Sequence, residues 1–190
     1  MPTQLIDRYG QFYDADNPLP IGASGGGLWT ATATFTRPND TTAYAVADAV
    51  ANSATVANVQ PLVFGGMGAA LGGSGLITNI LAWKANTAVV TNAAFRLYLM
   101  TARLTTAFGD NLAFNMIAAD MPKVVAIHEF VLRTEGASST ACFALDDTRR
   151  FDYQCDGSDT SLFGYLAAEA AYTPTALDQF FIRLTARRDA

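Results

Sequence analysis

A lone imidazole, His128 in the run Val124-Val-Ala-Ile-His-Glu-Phe-Val-Leu132, is the chain's one side chain whose ordinary titration range spans neutral pH. Catalysis by such a group needs a nucleophile within reach and an acid to orient the ring, and no motif in the sequence supplies both. Period-two alternation places His128 with Val124, Ala126 and Phe130, so a hydrogen-bonded structural histidine is the expectation. A single histidine excludes a multi-histidine zinc site within one chain. Cys142 and Cys155 are too few for a disulfide framework and lack metal-ligand spacing. Acidic residues gather at Asp14 and Asp16, at Asp146 and Asp147, and in Asp156-Gly-Ser-Asp159. Oxygen-rich loops can hold calcium, but these lack the alternating ligands and closing glutamate of an EF-hand loop. Asp, Gly and Ser are also the residues that turns use. No pair of carboxylates is singled out for glycoside hydrolysis. The glycine-rich stretch Gly65–Gly75 lacks the Gly-Lys-Ser/Thr ending of a phosphate-binding loop. The reading is of a protein without catalytic residues, bound metal or cofactor.

The elements that would carry these residues are strands. Trp29-Thr-Ala-Thr-Ala-Thr-Phe-Thr36 alternates strictly, with Trp29, Ala31, Ala33 and Phe35 on one side and four threonines on the other. Arg37-Pro-Asn-Asp40 then makes a turn, because proline presets φ and Asn and Asp tolerate a tight backbone. Further strands are predicted over 43–50, 59–64, 75–84, 94–101, 123–133, 140–145, 149–155, 162–170 and 179–188. Tyr44, Val46, Asp48 and Val50 should share one face of the strand at 43–50. The strands at 75–84 and 94–101 should pair antiparallel. In the last strand Phe180, Ile182, Leu184 and Ala186 should face the core, against Phe181, Arg183, Thr185 and Arg187. Residues 162–170 are rich in helix formers, but their place between a turn and a strand favours strand. Short strands at regular spacing, separated by Gly, Pro and Asn, predict an all-β, antiparallel β-sandwich, jelly-roll-like, over residues 28–190.

Residues 1–27 differ in character. Gln11-Phe12-Tyr13-Asp-Ala-Asp-Asn-Pro18-Leu19-Pro20 mixes aromatics with turn formers, and Gly22–Gly27 reads as a flexible hinge. The prolines forbid a helix and favour an extended arm that packs on a neighbouring surface. With 51% hydrophobic and only 15% charged residues, the chain buries a core and presents an unusually uncharged surface. A net charge of −5 speaks against binding a phosphate backbone, so no nucleic acid is expected as a partner. The start lacks the basic and apolar regions of a signal peptide, and the longest apolar stretch, 62–77, is short of the roughly twenty residues that a spanning helix needs. Neither a membrane nor export is therefore expected. Arg183 and Arg187 share a strand face that reads as a solvated or interface face. Trp29, Trp83, Tyr98 and Tyr165 could alternatively line a sugar-binding face.

Four segments together resemble a family of small virion structural proteins of tailed bacteriophages. They are Phe35-Thr-Arg-Pro-Asn-Asp-Thr-Thr-Ala-Tyr-Ala-Val-Ala-Asp-Ala-Val50, Gly72-Gly-Ser-Gly-Leu-Ile-Thr78, Phe95-Arg-Leu-Tyr-Leu99 and Asp110-Asn-Leu-Ala-Phe114. They follow the order of that family over roughly residues 28–132. The resemblance implies a β-sandwich bound to the capsid exterior as a decoration (cement) protein, made in the bacterial host cytoplasm. Its expected partners are the major capsid protein and itself, as a homotrimer. The expected contact residues are Phe12, Tyr13, Pro18, Leu19, Pro20, Trp29, Arg183 and Arg187. A tail or baseplate protein, a host-glycan-binding β-sandwich module and a cell-envelope hydrolase are the alternatives.

Overall fold

The computed structural model describes residues 5–6, 12–13, 27–85, 93–134 and 141–189. Its strands are β1 (Leu5–Ile6), β2 (Phe12–Tyr13), β3 (Leu28–Thr36), β4 (Ala49–Val50), β5 (Leu62–Phe64) and β6 (Ser74–Ala85). They continue with β7 (Ala93–Met100), β8 (Val124–Thr134), β9 (Ala141–Asp146), β10 (Phe151–Gln154), β11 (Leu162–Ala168) and β12 (Gln179–Arg188). β1 and β2 pair with each other; the rest of the expected arm, through residue 26, lies outside the described residues. Strands β3 to β12 form one antiparallel, strongly curled sheet, a half-barrel, in the order β3-β12-β6-β9-β8-β7-β11-β4. β10 pairs with β6 alongside β9, and β5 pairs with β11 alongside β4.

The curl follows from where pairing is thin. β8 meets β9 only through Arg133 and Thr134 against Phe143 and Cys142, while β7 holds β8 over most of its length. On either side of that narrow join the sheet bends, and its inner faces close on one core. Alternation decides what enters that core: Ala31 and Ala33 of β3, Phe95, Leu97 and Leu99 of β7, and Phe180, Ile182, Leu184 and Ala186 of β12 are buried, as their spacing predicts. Phe95 meets Phe180 edge-on at 5.4 Å, so β7 and β12 touch across the core rather than side by side.

The two far ends of the curl are drawn together by Trp29. Its Nε1 donates to the Gly65 carbonyl at 3.1 Å, and Arg188 lies over its ring at 4.3 Å while donating to the Gly66 carbonyl. Gly66 has φ +68°, and a Cβ there would come within 2.9 Å of the indole. Glycine answers both demands at once.

Two expectations change. The strands at 74–85 and 93–100 do not pair: β6 lies between β12 and the β9–β10 edge, and β7 between β8 and β11. Both have an apolar inner face, and consecutive strands satisfy it equally well by facing each other across a core as by lying side by side. The strand expected over 43–50 shrinks to Ala49–Val50. The Asp48 carboxylate accepts from the Ala45 amide, and Ala47 adopts φ 67°, so a turn interrupts the alternation there. By contrast, helix-forming 162–168 is a fully buried strand. It is the middle strand of its half, flanked by β7 and by β4 and β5. Tertiary context outweighs propensity here.

A buried polar cluster fixes the loops at one end. The Arg37 guanidinium donates to Asp110 at 2.7 Å, and both side chains are essentially inaccessible. Asp110 also accepts from the Tyr44 hydroxyl at 2.5 Å and the Ala51 amide at 2.8 Å. Arg37 additionally donates to the Tyr44 oxygen and to the Thr175 carbonyl. Burial by itself would lower the Arg37 pKa, but the Asp110 hydrogen bond and charge together with Tyr44 and Tyr172 offset it and the net shift is upward. Replacing Asp110 with Ala removes this cation's buried counter-ion and leaves it only the partly exposed Asp40 at 3.4 Å, which costs about 3–5 kcal/mol. Urea denaturation should show that loss for Asp110→Ala, against a change within about 0.5 kcal/mol for the exposed Thr32→Ala.

Candidate interaction face

The two halves of the curled sheet treat their outer faces differently. Behind β7, β8 and β11, residues 101–117 fold back over the sheet. Met100, Leu104, Phe163 and Tyr165 are buried there in a second small core with Phe108, Phe114 and Met116. Tyr98 stacks on Phe114 at 4.5 Å, and the Leu104 amide donates to the Tyr165 hydroxyl. Asp120 anchors the end of the segment, accepting from Thr105 and Lys123.

Among the described residues, nothing comparable covers the outer face of β3, β12, β6 and β9. The register places Thr34, Phe181, Trp83, Phe143 and Arg133 in one lateral row. The next row holds Thr32, Arg183, Leu81 and Leu145. Trp83 and Phe181 stack face to face at 5.0 Å, 4° from parallel. Phe143 is 39% exposed and Leu145 54%. Arg187 stands lower on the face, level with Leu28 and Leu76. Arg183 and Arg187 of β12 point outward there with Arg133 of β8 at the margin, within a chain of net charge −5.

This arrangement gathers some of the expected contact residues and separates others. Arg183 and Arg187 are exposed on the aromatic face. Trp29 points the other way, level with buried Ala186, and its ring closes the curl. Phe12 and Tyr13 are described only through their backbone pairing, and Pro18, Leu19 and Pro20 lie outside the described residues. The four aromatics of the sugar-binding alternative do not share a surface: Trp29 and Trp83 lie on opposite faces, Tyr98 packs on Phe114, and Tyr165 is buried. Phe143, Leu145, Leu81 and Arg133 were not singled out from the sequence. A signal existed, since strands with apolar residues at consecutive positions, as in Phe180-Phe181 and Cys142-Phe143-Ala-Leu145, have two apolar faces.

Beside this face, β8 and β9 diverge beyond their two shared pairs and leave a cleft of about 710 Å³. His128, Phe130 and Phe95 line it, with Glu129, Glu169 and Arg149. His128 stacks on Phe130 at 5.8 Å, and its Nδ1 lies 3.5 Å from Asp146 Oδ2, beyond hydrogen-bond length. Asp146 instead accepts from the Thr148 hydroxyl and amide. A hydroxyl bonded to the acid rather than to the imidazole is the wrong order for an activated nucleophile. Among the described residues no group of three His, Cys, Asp or Glu side chains is arranged to hold a metal ion. The loop aspartates serve as turn acceptors, Asp156 for Ser158 and Asp159 for Ser161. Comparison with known proteins gives no match, either to a protein-family model or to a curated sequence.

Burial pushes the His128 pKa below its ordinary value, and the Asp146 charge opposes this only in part. In the window between about pH 6.5, the ordinary histidine value, and the lower folded value, the unfolded chain binds more protons than the folded one. Stability therefore falls as pH drops through that window. Urea titrations should show it, and His128→Phe should flatten the dependence. The single imidazole resonance should titrate below the ordinary value; a midpoint at or above it contradicts the burial.

Proposed function

We propose that this chain is a non-enzymatic structural protein of a tailed-phage virion, a decoration protein that cements the major capsid protein from the capsid exterior as a homotrimer. The observation that carries the reading is the uneven covering of the sheet. One outer face is sealed by the chain's own residues 101–117, while the other presents Phe181, Trp83, Phe143, Leu81 and Leu145 flanked by arginines. Apolar aromatic surface with arginine at its margin and few acidic groups is the composition of protein–protein contact surfaces. The threonines of β3 extend this face sideways without adding charge, which suits contact with a sister subunit.

The strand order supports the finer fold reading, a jelly-roll β-sandwich. The order divides at the thin β8–β9 join into β3-β12-β6-β9 and β4-β11-β7-β8, with the first and last long strands adjacent. That is the interleaving of two Greek keys, an architecture that viral capsid and lectin domains share. Fold alone does not choose between those roles. The resemblance to phage structural proteins favours the first. Two of its segments, Phe35–Val50 and Asp110–Phe114, meet in the Arg37–Tyr44–Asp110 cluster. Repetition over a lattice would multiply a modest contact into stable attachment, and an arm over residues 1–27 would add surface on binding.

The double variant Phe143→Glu, Leu145→Glu tests the reading on virions or isolated heads. Both side chains are exposed, so the thermal midpoint should stay within a few degrees of the parent, whereas attachment should weaken by about 2–4 kcal/mol. Head occupancy measured by cryo-electron microscopy should collapse; full occupancy would remove this face from the contact. Density for the protein on the tail or baseplate would move it there within the virion. Deleting residues 1–24 asks the same of the arm, whose role fails if occupancy and heat resistance of the particles persist.

A further inference from the structure

We propose that Lys84 and Asp178 become joined by an intramolecular isopeptide bond, a covalent staple between β6 and the segment entering β12. Lys84 points inward from the middle of its half-sheet, level with Phe180 on β12 and Cys142 on β9. Its Nζ contacts the Asp178 carboxylate, with both side chains almost wholly buried. Aromatic rings wall the site: Phe180 stacks on Phe35 at 5.3 Å and meets Phe95 edge-on, and Phe95 meets Tyr172 edge-on at 5.2 Å. In this setting Lys84 Nζ has no hydrogen bond of acceptable geometry among the described residues. A buried ammonium with one carboxylate and none of its remaining donors used is an expensive arrangement. An amide has no charge to desolvate, and only one N–H and one carbonyl to satisfy.

The chemistry balances without a co-reactant. Moving one proton from Nζ to the carboxylate within the pair gives a neutral amine and a carboxylic acid. The amine lone pair then attacks Asp178 Cγ, the Nζ–Cγ bond forms, and one Cγ–O bond breaks. Water departs with the carboxyl hydroxyl and one amine hydrogen. The site also holds what such a condensation requires. The carboxylate is positioned by the Thr175 amide, which donates to Asp178 Oδ2 at 3.2 Å, and its backbone carbonyl accepts from the Arg37 amide at 2.8 Å. The Tyr172 hydroxyl is buried with no hydrogen-bond partner among the described residues, and the Asp178 charge acts on it. Burial raises its pKa, so it stays an O–H donor able to stabilise the oxygen that gains charge as the amine adds. The near-complete burial of both side chains limits access of bulk water to the bond, which disfavours the reverse hydrolysis.

Intact-mass spectrometry of the purified native chain tests this, and the readout is independent of any capsid binding. The expected mass is that of the sequence less one water molecule. A protease digest should contain one branched peptide joining the segments around Lys84 and Asp178, with trypsin unable to cut after Lys84. Lys84→Arg should restore the full sequence mass, and Tyr172→Phe should slow the water loss in freshly synthesised protein. A native chain of full mass, whose Lys84 reacts with an amine reagent after denaturation, overturns the proposal. So does a water loss that maps to a cyclic imide at Asp156-Gly157. Because the decisive mass is that of the parent chain, failure of a variant to fold does not affect the outcome.

Discussion

The buried pairing of Arg37 with Asp110 is the constraint on which the loop end of this structure depends. The sheet supplies its own ladder hydrogen bonds, but the loops between strands must satisfy their polar groups by other means. Asp110 does this for three segments at once, by accepting from Arg37 after β3, from the Tyr44 hydroxyl, and from the Ala51 amide beyond β4. Arg37 carries the connection to a fourth segment through its bond to Thr175, and its own amide donates to the Asp178 carbonyl. Charges buried this deeply are tolerated only when each donor and acceptor is used, so the loops cannot shift independently. Tyr44 stacks on Tyr172 at 5.0 Å, which couples this polar knot to the aromatic wall around Lys84.

With the loops held, the two halves of the sheet have different fates. A sheet with apolar residues on both faces must cover the outer one. The half containing β7 and β11 does so with the long connection 101–117 and its small core. The half containing β12 and β6 has no such cover among the described residues. A surface that stacks Trp83 on Phe181 and keeps Phe143 and Leu145 exposed is costly for an isolated chain. The proposed contact with other protein would cover it. The low charge of the whole chain fits the same logic, since few charged groups have to be desolvated on contact.

Much of this was legible in the residue order. Alternation located β3, β7 and β12, and in β12 it located the ends as well, whereas β11 was placed by its position between a turn and a strand. The failures were local and had physical causes. At Ala45–Asp48 a side-chain acceptor offered the backbone a turn that alternation could not reveal. The partners of β6 and β7 were misjudged because pairing depends on which strands lie adjacent in space, and period-two patterns are silent on that. The role of Trp29 was hidden because its parity marks it as inward, yet it sits at the end of an edge strand and reaches Gly65 across the seam.

The sequence by itself determined the antiparallel, all-β character of the fold and the inward residues of β3, β7 and β12. These follow from local chemistry, the pleat's period of two and the apolar residues that occupy one side of it. Only the tertiary structure decided which apolar face is covered and which has no cover among the described residues. It alone brought Arg37 to Asp110, Lys84 to Asp178 and His128 to the floor of a cleft. Each of these contacts joins segments far apart in the chain, and their meeting depends on how the sheet curls rather than on any residue's own preference.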